Sequence, residues 1–269
     1  MVSIILVNFN GARFLRQCIQ SLINKTTEVA YEIILVDNAS SDESRDIVRK
    51  KFPSVHLIES NTNLGFSAGN NLGVKHANGS KLLFLNTDTY LVEDLASVLS
   101  KYVDDNSGVG IVGPKLIFAD GSFQLSAGRL PGFGVELIDK IRYAADRHWH
   151  PMFARINDAL TSRTKEVGWV TGACMMVRRE AFEKVSGFDE KMFMYYEDKD
   201  LCKRIGDAGW KIVYNPQASV VHLLGGSSEA TSAEVSKHYR ESQLHYYRKH
   251  HSAFHAGLVE STLKLAGKI

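Results

Sequence analysis

Cysteines and long apolar runs are both scarce in this sequence. Only three of its 269 residues are cysteine, and Cys18, Cys174 and Cys202 lie far apart in apolar or helical surroundings. An odd, scattered set favours buried, reduced thiols over a disulfide framework. No stretch approaches the ~20 apolar residues that cross a bilayer, and the residues after Met1 lack the basic lead and cleavage site of a signal peptide. We therefore expect a cytoplasmic protein.

A charge excess of either sign is missing too. Basic and acidic residues nearly balance, at a formal net charge of +2, and 44% of the residues are hydrophobic. These values are ordinary for globular proteins and argue against disorder and against nucleic-acid binding. No GxSxG, CxxC, HExxH or P-loop lysine pattern is present, so hydrolase and ATPase functions lose their usual support. The length suits one large α/β domain.

Short apolar runs alternate with helical patterns over the first 115 residues. This alternation predicts a mostly parallel sheet covered by helices on both faces. The predicted strands are 2–7, 32–37, 55–60 and 81–86, and the predicted helices are 12–24, 42–51, 66–77 and 92–103. Ligands are expected at the carboxyl ends of such strands, where the polar sequences VNFN, VDNASSD and NTDT lie.

The second half is less regular. Asp120 and Gly121 predict a hairpin turn, and residues 128–165 are expected to form a loop with short helices beside the active site. Strand is predicted over 167–179, 211–216 and 218–223, and helix over 179–185, over 197–209 and over 232–269. The last helix is basic and aromatic, so it either lies on an anionic membrane surface or packs on the domain as a solvated helix.

Two carboxylates mark the ends of predicted strands. Asp88 suits a Mg²⁺ or Mn²⁺ site, because these hard ions prefer carboxylate and phosphate oxygens. An equally weighted alternative is that Asp88 caps the helix that begins near Val92. Asp37 suits a ribose hydroxyl or a base imide N–H, and its alternative role is an Asx-turn or a helix cap.

Glycines and one histidine add to the same edge of the predicted sheet. Gly65, Gly69 and Gly73 surround a helix start, where small residues let backbone amides approach a diphosphate, although such a start is more often a plain turn. His222 ends an apolar strand, and its imidazole would reach the cleft of Asp88 and complete a metal site. A lone histidine is more often satisfied structurally.

An acid pair stands at the start of the helix predicted over 197–209. Glu197 and Asp198 follow two tyrosines, where a carboxylate is well placed to take a proton from a sugar hydroxyl. The alternative is that both acids only complement the helix dipole.

Seven segments, in one order, resemble glycosyltransferase family 2, in particular its bacterial rhamnosyltransferase-like branch. They are SIILVNFNG, EIILVDNASSD, NLGFSAGNNLG, LFLNTD, VGWVTGACMMVRREAFEKVSGFDE, MYYEDKDLCKRIGDAGWKI and VVHLLGGS. The resemblance implies an α/β domain of the GT-A fold over residues 1–228. Its donor-binding half would cover about 1–115 and its acceptor and catalytic half about 116–228, followed by a C-terminal helical extension over 229–269.

The resemblance also implies roles for single residues. The residues that bind the nucleotide and the donor would be Asn8, Asn10, Asp37, Gly65, Asn70, Thr87 and Asp88. Those near the transferred sugar and the acceptor would be Trp169, Thr171 and Gly172. Asp88 and His222 would hold a divalent metal, Asp198 would be the base, and Glu197 would be its acidic neighbour. The family motif has two aspartates one residue apart, whereas this chain has Asn86 before Asp88, so we expect weaker or more phosphate-dependent metal binding.

The implied activity is transfer of a sugar, with rhamnose favoured, from a nucleoside-diphosphate donor to a hydroxyl of a glycan or lipid-linked acceptor. The donor would be dTDP-rhamnose or a UDP-sugar, and a single base implies inversion of configuration. Residues 128–165, with Trp149, are the expected acceptor surface, and the C-terminal helix is a candidate contact with the inner face of the membrane. Two alternatives remain: a sugar nucleotidylyltransferase, and a catalytically silent nucleotide-sugar-binding scaffold.

Overall fold

Most of the strands that the sequence predicts pair in one ten-stranded sheet, beside a separate two-stranded sheet, in a computed structural model, which describes residues 1–132, 134, 162–223, 232–265 and 267. The strands are β1 (Val2–Asn8), β2 (Tyr31–Asn38), β3 (His56–Ser60), β4 (Lys81–Asn86), β5 (Thr89–Leu91), β6 (Val109–Ile117), β7 (Phe123–Gln124), β8 (Ala127–Gly128), β9 (Lys165–Glu166), β10 (Trp169–Val170), β11 (Cys174–Arg178) and β12 (Lys211–His222). The described helices are α1 (Ala12–Lys25), α2 (Ser44–Lys51), α3 (Gly65–Lys75), α4 (Leu95–Asp105), α5 (Arg179–Lys184), α6 (Glu197–Asp207), α7 (Ser232–His250) and α8 (Ala253–Leu265).

The sheet changes character halfway across. Its order is β3-β2-β1-β4-β11-β6-β12-β5. The first four strands are parallel, and β11 enters antiparallel between β4 and β6. The strand β12 runs parallel to β6, and the short β5 pairs antiparallel with β12. The predicted mostly parallel sheet is therefore confirmed, with its antiparallel pairs on the side beyond β4.

Helices cover both faces of this sheet. On one face, α1 buries the apolar stripe that its spacing predicts, which is Leu15, Cys18, Ile19 and Leu22. On the other face, α3 approaches β1 closely, because a Cβ on Gly73 would lie 2.6 Å from Ile5 Cγ2 and one on Gly69 would lie 2.9 Å from Val7 Cγ1. The three cysteines are free and buried, as expected.

Several predicted elements differ from the structure for local reasons. The strand β6 was not predicted, because Gly110 and Gly113 interrupt its apolar pattern; both glycines admit close neighbours, Trp210 and Val170. The strand predicted over 167–179 divides into β10 and β11. The two strands predicted over 211–223 form one strand, with an irregularity around Pro216, which has no N–H to donate.

The hairpin at Gly121 is confirmed, with Gly121 at φ +81° and the Phe118 N–H donating to the Ser122 carbonyl at 2.8 Å. Most of the predicted loop 128–165, including Trp149, lies outside the described residues.

The C-terminal stretch forms two helices where one was predicted. The break comes after His250, and the Ser252 carbonyl accepts the Ala256 N–H at the start of α8. Tyr246 and Tyr247 of α7 are fully buried and pack with Met192 and Tyr196. No helix in the described ranges is long and apolar enough to cross a bilayer. The aromatic face of α7 is thus used in packing on the domain, and contact with a membrane stays a prediction.

Candidate active site

The carboxyl ends of β1 and β2 carry a buried polar network. The Asn8 side-chain amide donates to Asp37 Oδ2 at 3.3 Å and to Ser40 Oγ at 3.1 Å. Asn8 and Asp37 are fully buried. Asn8 Oδ1 has no hydrogen-bond partner among the described residues, and a Cβ on Gly11 would collide with it. The strand ends therefore converge as predicted, and one buried acceptor is left over.

Asp37 is held by more partners than its segment suggested. Its Oδ1 accepts the Ser40 N–H at 3.0 Å, which is the turn role considered as the alternative. The same oxygen accepts the Arg45 Nε–H at 2.6 Å, and Arg45 also donates to the Ser60 carbonyl. Asp42, rather than Asp37, accepts the backbone N–H groups at the helix starts, those of Ala12 in α1 and Ser44 in α2. Sequence reasoning missed Arg45, which looks like an ordinary exposed position of α2.

Asn10 closes the loop after β1. Its backbone φ is +50°, its N–H donates to Ser40 Oγ at 2.9 Å, and its Oδ1 accepts the Ser41 N–H at 2.8 Å. The loops that follow β1 and β2 are thereby tied to each other.

The start of α3 faces the segment that precedes the acid pair. Gly65 has φ +78° and donates its N–H to Asn63 Oδ1, and the Phe66 N–H donates to the Phe193 carbonyl at 2.7 Å. The Asn70 amide donates to the Phe66 carbonyl of its own helix. Both first amides of this helix are used within the protein, so the glycines here serve close packing.

Asp88 and His222 lie together, as predicted. His222 Nε2 is 3.2 Å from Asp88 Oδ1, and both side chains are buried. The pairing of β5 with β12 sets this distance, because His222 is opposite Thr89 and the Leu223 N–H donates to the Asp88 carbonyl. The helix-cap alternative for Asp88 is wrong, since α4 begins at Leu95 and is capped by Asp94.

The imidazole of His222 is oriented from its other side. Its Nδ1 lies 2.8 Å from Gln124 Oε1, so a proton on Nδ1 leaves Nε2 as the acceptor that faces Asp88. Metal-binding histidines commonly have such a partner on the second nitrogen. Within the described ranges, no group of three or more His, Cys, Asp or Glu side chains is arranged to hold a metal. Asp88 and His222 thus offer two ligands. Thr87 beside them is buried, and its Oγ1 faces Gly11.

The acid pair stands at a strained turn. Tyr195 and Tyr196 both have positive φ, at +67° and +63°, a conformation that bulky residues adopt only where the surrounding structure holds it. Asp198 Oδ2 accepts the Gly172 N–H at 3.2 Å, and Oδ1 accepts the Lys199 N–H at 2.8 Å. Helix α6 therefore starts with its second acid fixed against the segment before β11.

Glu197 differs from its neighbour. Burial and the charge of Asp198 raise the pKa of Glu197 to about 8, and its Oε2 has no hydrogen-bond partner among the described residues. Glu197 therefore holds a proton through neutral pH. Two adjacent acids with different environments are typical of catalytic sites.

Residues 171–173 connect the acid pair to the strand that ends before Asp88. The Asn86 N–H donates to the Ala173 carbonyl at 2.9 Å, while Gly172 donates to Asp198. The Thr171 N–H donates to the Ser126 carbonyl, and its Oγ1 accepts the Ala173 N–H. Trp169 pairs with Gly128 across β8 and β10, and a Cβ on Gly128 would lie 2.9 Å from the Trp169 Nε1. The predicted sugar and acceptor residues thus lie between the end of β4, which precedes Asp88, and Asp198 at the start of α6.

Family comparison fits this arrangement. Residues 3–186 match the family described as Glycosyl transferase family 2, and residues 142–247 match Glycosyl transferase family group 2. The chain belongs to glycosyltransferase family 2. It is therefore a glycosyltransferase, and the resemblance of its seven segments is confirmed.

Named relatives extend over nearly the whole chain. The N-acetylglucosaminyl-diphospho-decaprenol L-rhamnosyltransferase of Mycobacterium tuberculosis is 27% identical, over 98% of this chain and 89% of the relative. The rhamnosyltransferase WbbL of Escherichia coli K12 is 25% identical, over 91% of this chain and 92% of the relative.

Solved structures of glycosyltransferases share the GT-A-type fold. The mannosyltransferase PcManGT of Pyrobaculum calidifontis, in complex with GDP-Man and Mn²⁺, has a TM-score of 0.58 at 16% identity, covering 98% of this chain and 80% of that structure. The S. aureus TarS fragment 1–349, in complex with UDP, has a TM-score of 0.61 at 14% identity, covering 96% and 69%. The predicted fold class is confirmed.

Proposed function

We propose that this glycosyltransferase moves rhamnose from a nucleoside-diphosphate donor to a hydroxyl of a lipid-linked glycan. Both whole-length relatives named above are rhamnosyltransferases, and the mycobacterial one acts on an N-acetylglucosaminyl diphospholipid. A third relative, from Shigella flexneri, is a dTDP-rhamnosyl transferase, 25% identical over 78% of this chain and 66% of its own length. These names favour dTDP-rhamnose as the donor, with UDP-sugars as the alternative.

The observation that carries the chemistry is the link from Asn86 through Ala173 and Gly172 to Asp198. It ties the start of α6 to the end of β4, the strand edge that presents Asp88. A donor sugar bound between Asp198 and Asp88 would have the carboxylate of Asp198 on one side and its own diphosphate, near Asp88, on the other. Such a layout suits a single in-line displacement.

In this reaction Asp198 takes the proton of the acceptor hydroxyl, whose oxygen attacks the anomeric carbon as the bond to the diphosphate breaks. Glu197 keeps its own proton at neutral pH, so the role of base falls to Asp198. One base and one displacement invert the configuration at that carbon.

Asp88 and His222 would hold a divalent metal, and the donor set fits Mn²⁺ or Mg²⁺ with Mn²⁺ better matched to the imidazole. When bound, such an ion supplies positive charge against the departing diphosphate. Gln124 orients the imidazole. Asn86 is neutral where the family motif has a second aspartate, so the donor phosphates would complete the ligand set.

The variant Asp198→Asn tests the base. We expect kcat to fall by about 10²–10⁴-fold, the usual contribution of a general base, while the melting-point shift produced by the donor is kept. Transfer is measured as nucleoside diphosphate released with and without acceptor. Asp207→Asn, at the exposed end of the same helix, is the control.

Near-normal turnover in Asp198→Asn would remove it as the base. Release that does not depend on acceptor would indicate donor hydrolysis, and pyrophosphate as the product would indicate a nucleotidylyltransferase.

The variant His222→Ala tests the metal site. In the wild type, Mn²⁺ should enlarge the melting-point rise caused by a nucleoside diphosphate, because only ligands of the folded state stabilise it. In His222→Ala this gain should be lost. His56→Ala, on exposed β3, is the control. An equal Mn²⁺ gain in both variants would contradict the assignment of His222.

A further inference from the structure

Lys199 has an environment that the reaction above does not use. Its ammonium nitrogen lies 4.5 Å from the centre of the Tyr196 ring and 4.9 Å from that of Trp169. Within the part of the chain that the structure describes, no carboxylate lies within 4.0 Å of this nitrogen in an ion pair. Two aromatic faces hold a cation in place without neutralising its charge.

The next two cations along α6, and Lys249 of α7, are paired with acids. Lys203 contacts Asp207 at 2.8 Å, Arg204 contacts Asp200 at 2.6 Å, and Lys249 contacts both Asp189 and Asp200. Two acids directly precede Lys199. Asp198 is the proposed base, and Glu197 holds a proton at neutral pH. A positive charge is therefore retained beside Asp198 where the neighbouring helix positions are neutralised.

Position adds to this chemistry. The backbone N–H of Lys199 donates to Asp198 Oδ1 at 2.8 Å, so Lys199 is bonded directly to the proposed base. Trp169 is fixed by the close approach of Gly128 and precedes the loop that binds Asp198 through Gly172. In a sugar diphospholipid, the phosphate is one sugar ring away from the acceptor hydroxyl. A long side chain next to the base is suited to reach that group.

We propose that Lys199, held between Trp169 and Tyr196, binds the phosphate of the acceptor and so selects sugar diphospholipids over neutral glycosides. This inference rests on the proposed lipid-linked acceptor. A lysine is a point-charge phosphate ligand, and the two rings restrict its freedom before the acceptor arrives. The donor diphosphate has the same chemistry, and the test separates the two sources.

The experiment compares two acceptors that carry one alkyl chain: an alkyl diphospho-N-acetylglucosamine and the neutral alkyl N-acetylglucosaminide. In Lys199→Gln we expect KM for the diphosphate acceptor to rise at least tenfold, with kcat within about twofold and KM for the neutral acceptor and the donor unchanged. Lys199→Arg should keep most of the preference, because it keeps the charge. Lys203→Gln, one turn along α6, is the matched control.

Equal rises in KM for both acceptors would show that Lys199 only packs Trp169, and a rise in the donor KM would assign the cation to the donor. Both results overturn the proposal. Affinities of the two acceptors, measured in Asp198→Asn with and without Lys199→Gln, give the same ratio without turnover. If the wild type transfers to neither acceptor, the proposed function fails, and this binding ratio still decides the role of Lys199.

Discussion

The half predicted to bind the donor, residues 1–115, here called the donor half, and the half that carries the acid pair, here called the acid half, hold their polar groups in different ways. At the ends of β1 and β2, Asn8, Asp37 and Ser40 bond to one another across two loops. At the start of α6, a protonated Glu197 keeps an oxygen without a partner in the described structure, and two tyrosines have positive φ. Both halves keep buried oxygens without a partner among the described residues, and both hold non-glycine residues at positive φ. They differ in how the acids are held: Asp37 is paired with Arg45, whereas burial and the charge of Asp198 raise the pKa of Glu197.

Distant parts of the chain hold the acid half together. Asp200 of α6 contacts His250 at 2.7 Å and Lys249 at 2.8 Å, and Asp189 contacts Lys249 at 2.7 Å. The charged partners lower the pKa of Asp200 against its burial. The donor network, in contrast, uses residues of the first 60 positions. The C-terminal helices therefore belong structurally to the acid half, although the sequence suggests a separate extension.

The largest expected effect concerns Glu197. Its pKa is raised from 4.5 to about 8 in the folded protein. The folded state binds this proton more tightly than the unfolded state does. Protonation of Glu197 therefore stabilises the folded state fully below pH 4.5, and this stabilisation is lost as the pH rises toward 8. Glu197→Gln, which mimics the protonated acid, should remove a slope of up to about 1.4 kcal/mol per pH unit in this window.

Urea unfolding at pH 5, 6, 7 and 8 measures this slope. The Gln variant should resemble the wild type at pH 5 and exceed it increasingly above. Glu183→Gln, on the exposed side of α5, is the control. Parallel profiles for wild type and Glu197→Gln would mean that its surroundings do not raise the pKa of Glu197, and the contrast between the two halves would weaken.

The donor half was the more predictable of the two. Its strands are short apolar runs, and its polar residues directly follow them, so the period of the pattern and the rules for parallel sheets suffice. The meeting of Asp88 with His222 was also predicted and is confirmed at 3.2 Å. That pairing was inferred from the position of both residues at strand ends and supported by the resemblance, and the β5–β12 ladder brings them together.

The remaining partners were not predictable from local patterns. Arg45 beside Asp37, Gln124 behind His222 and Lys199 between two rings are polar residues at ordinary surface positions of their segments. Their roles come from tertiary packing that brings residues from separate elements together. The irregular stretch before β10 gave no periodic signal at all, and β6 was hidden by the glycines that let it pack.

The smallest expected effects concern the packing around one glycine in each half, measured as changes in the free energy of unfolding. In α3, a Cβ on Gly73 would lie 2.6 Å from Ile5 Cγ2 on a buried, stiff strand residue. Gly73→Ala should therefore lower the free energy of unfolding by about 1–3 kcal/mol, as overpacking does.

In α6, a Cβ on Gly206 would meet nothing within 4 Å. Gly206→Ala should raise the free energy of unfolding by about 0.5–1 kcal/mol, because alanine loses less backbone entropy in a helix. Both variants are measured by the same urea titration, each serving as the control for the other. Opposite signs are required, because the same substitution meets a filled interface in one helix and open solvent in the other. Stabilisation by Gly73→Ala would show that α3 can move away from β1 and that this interface is not filled.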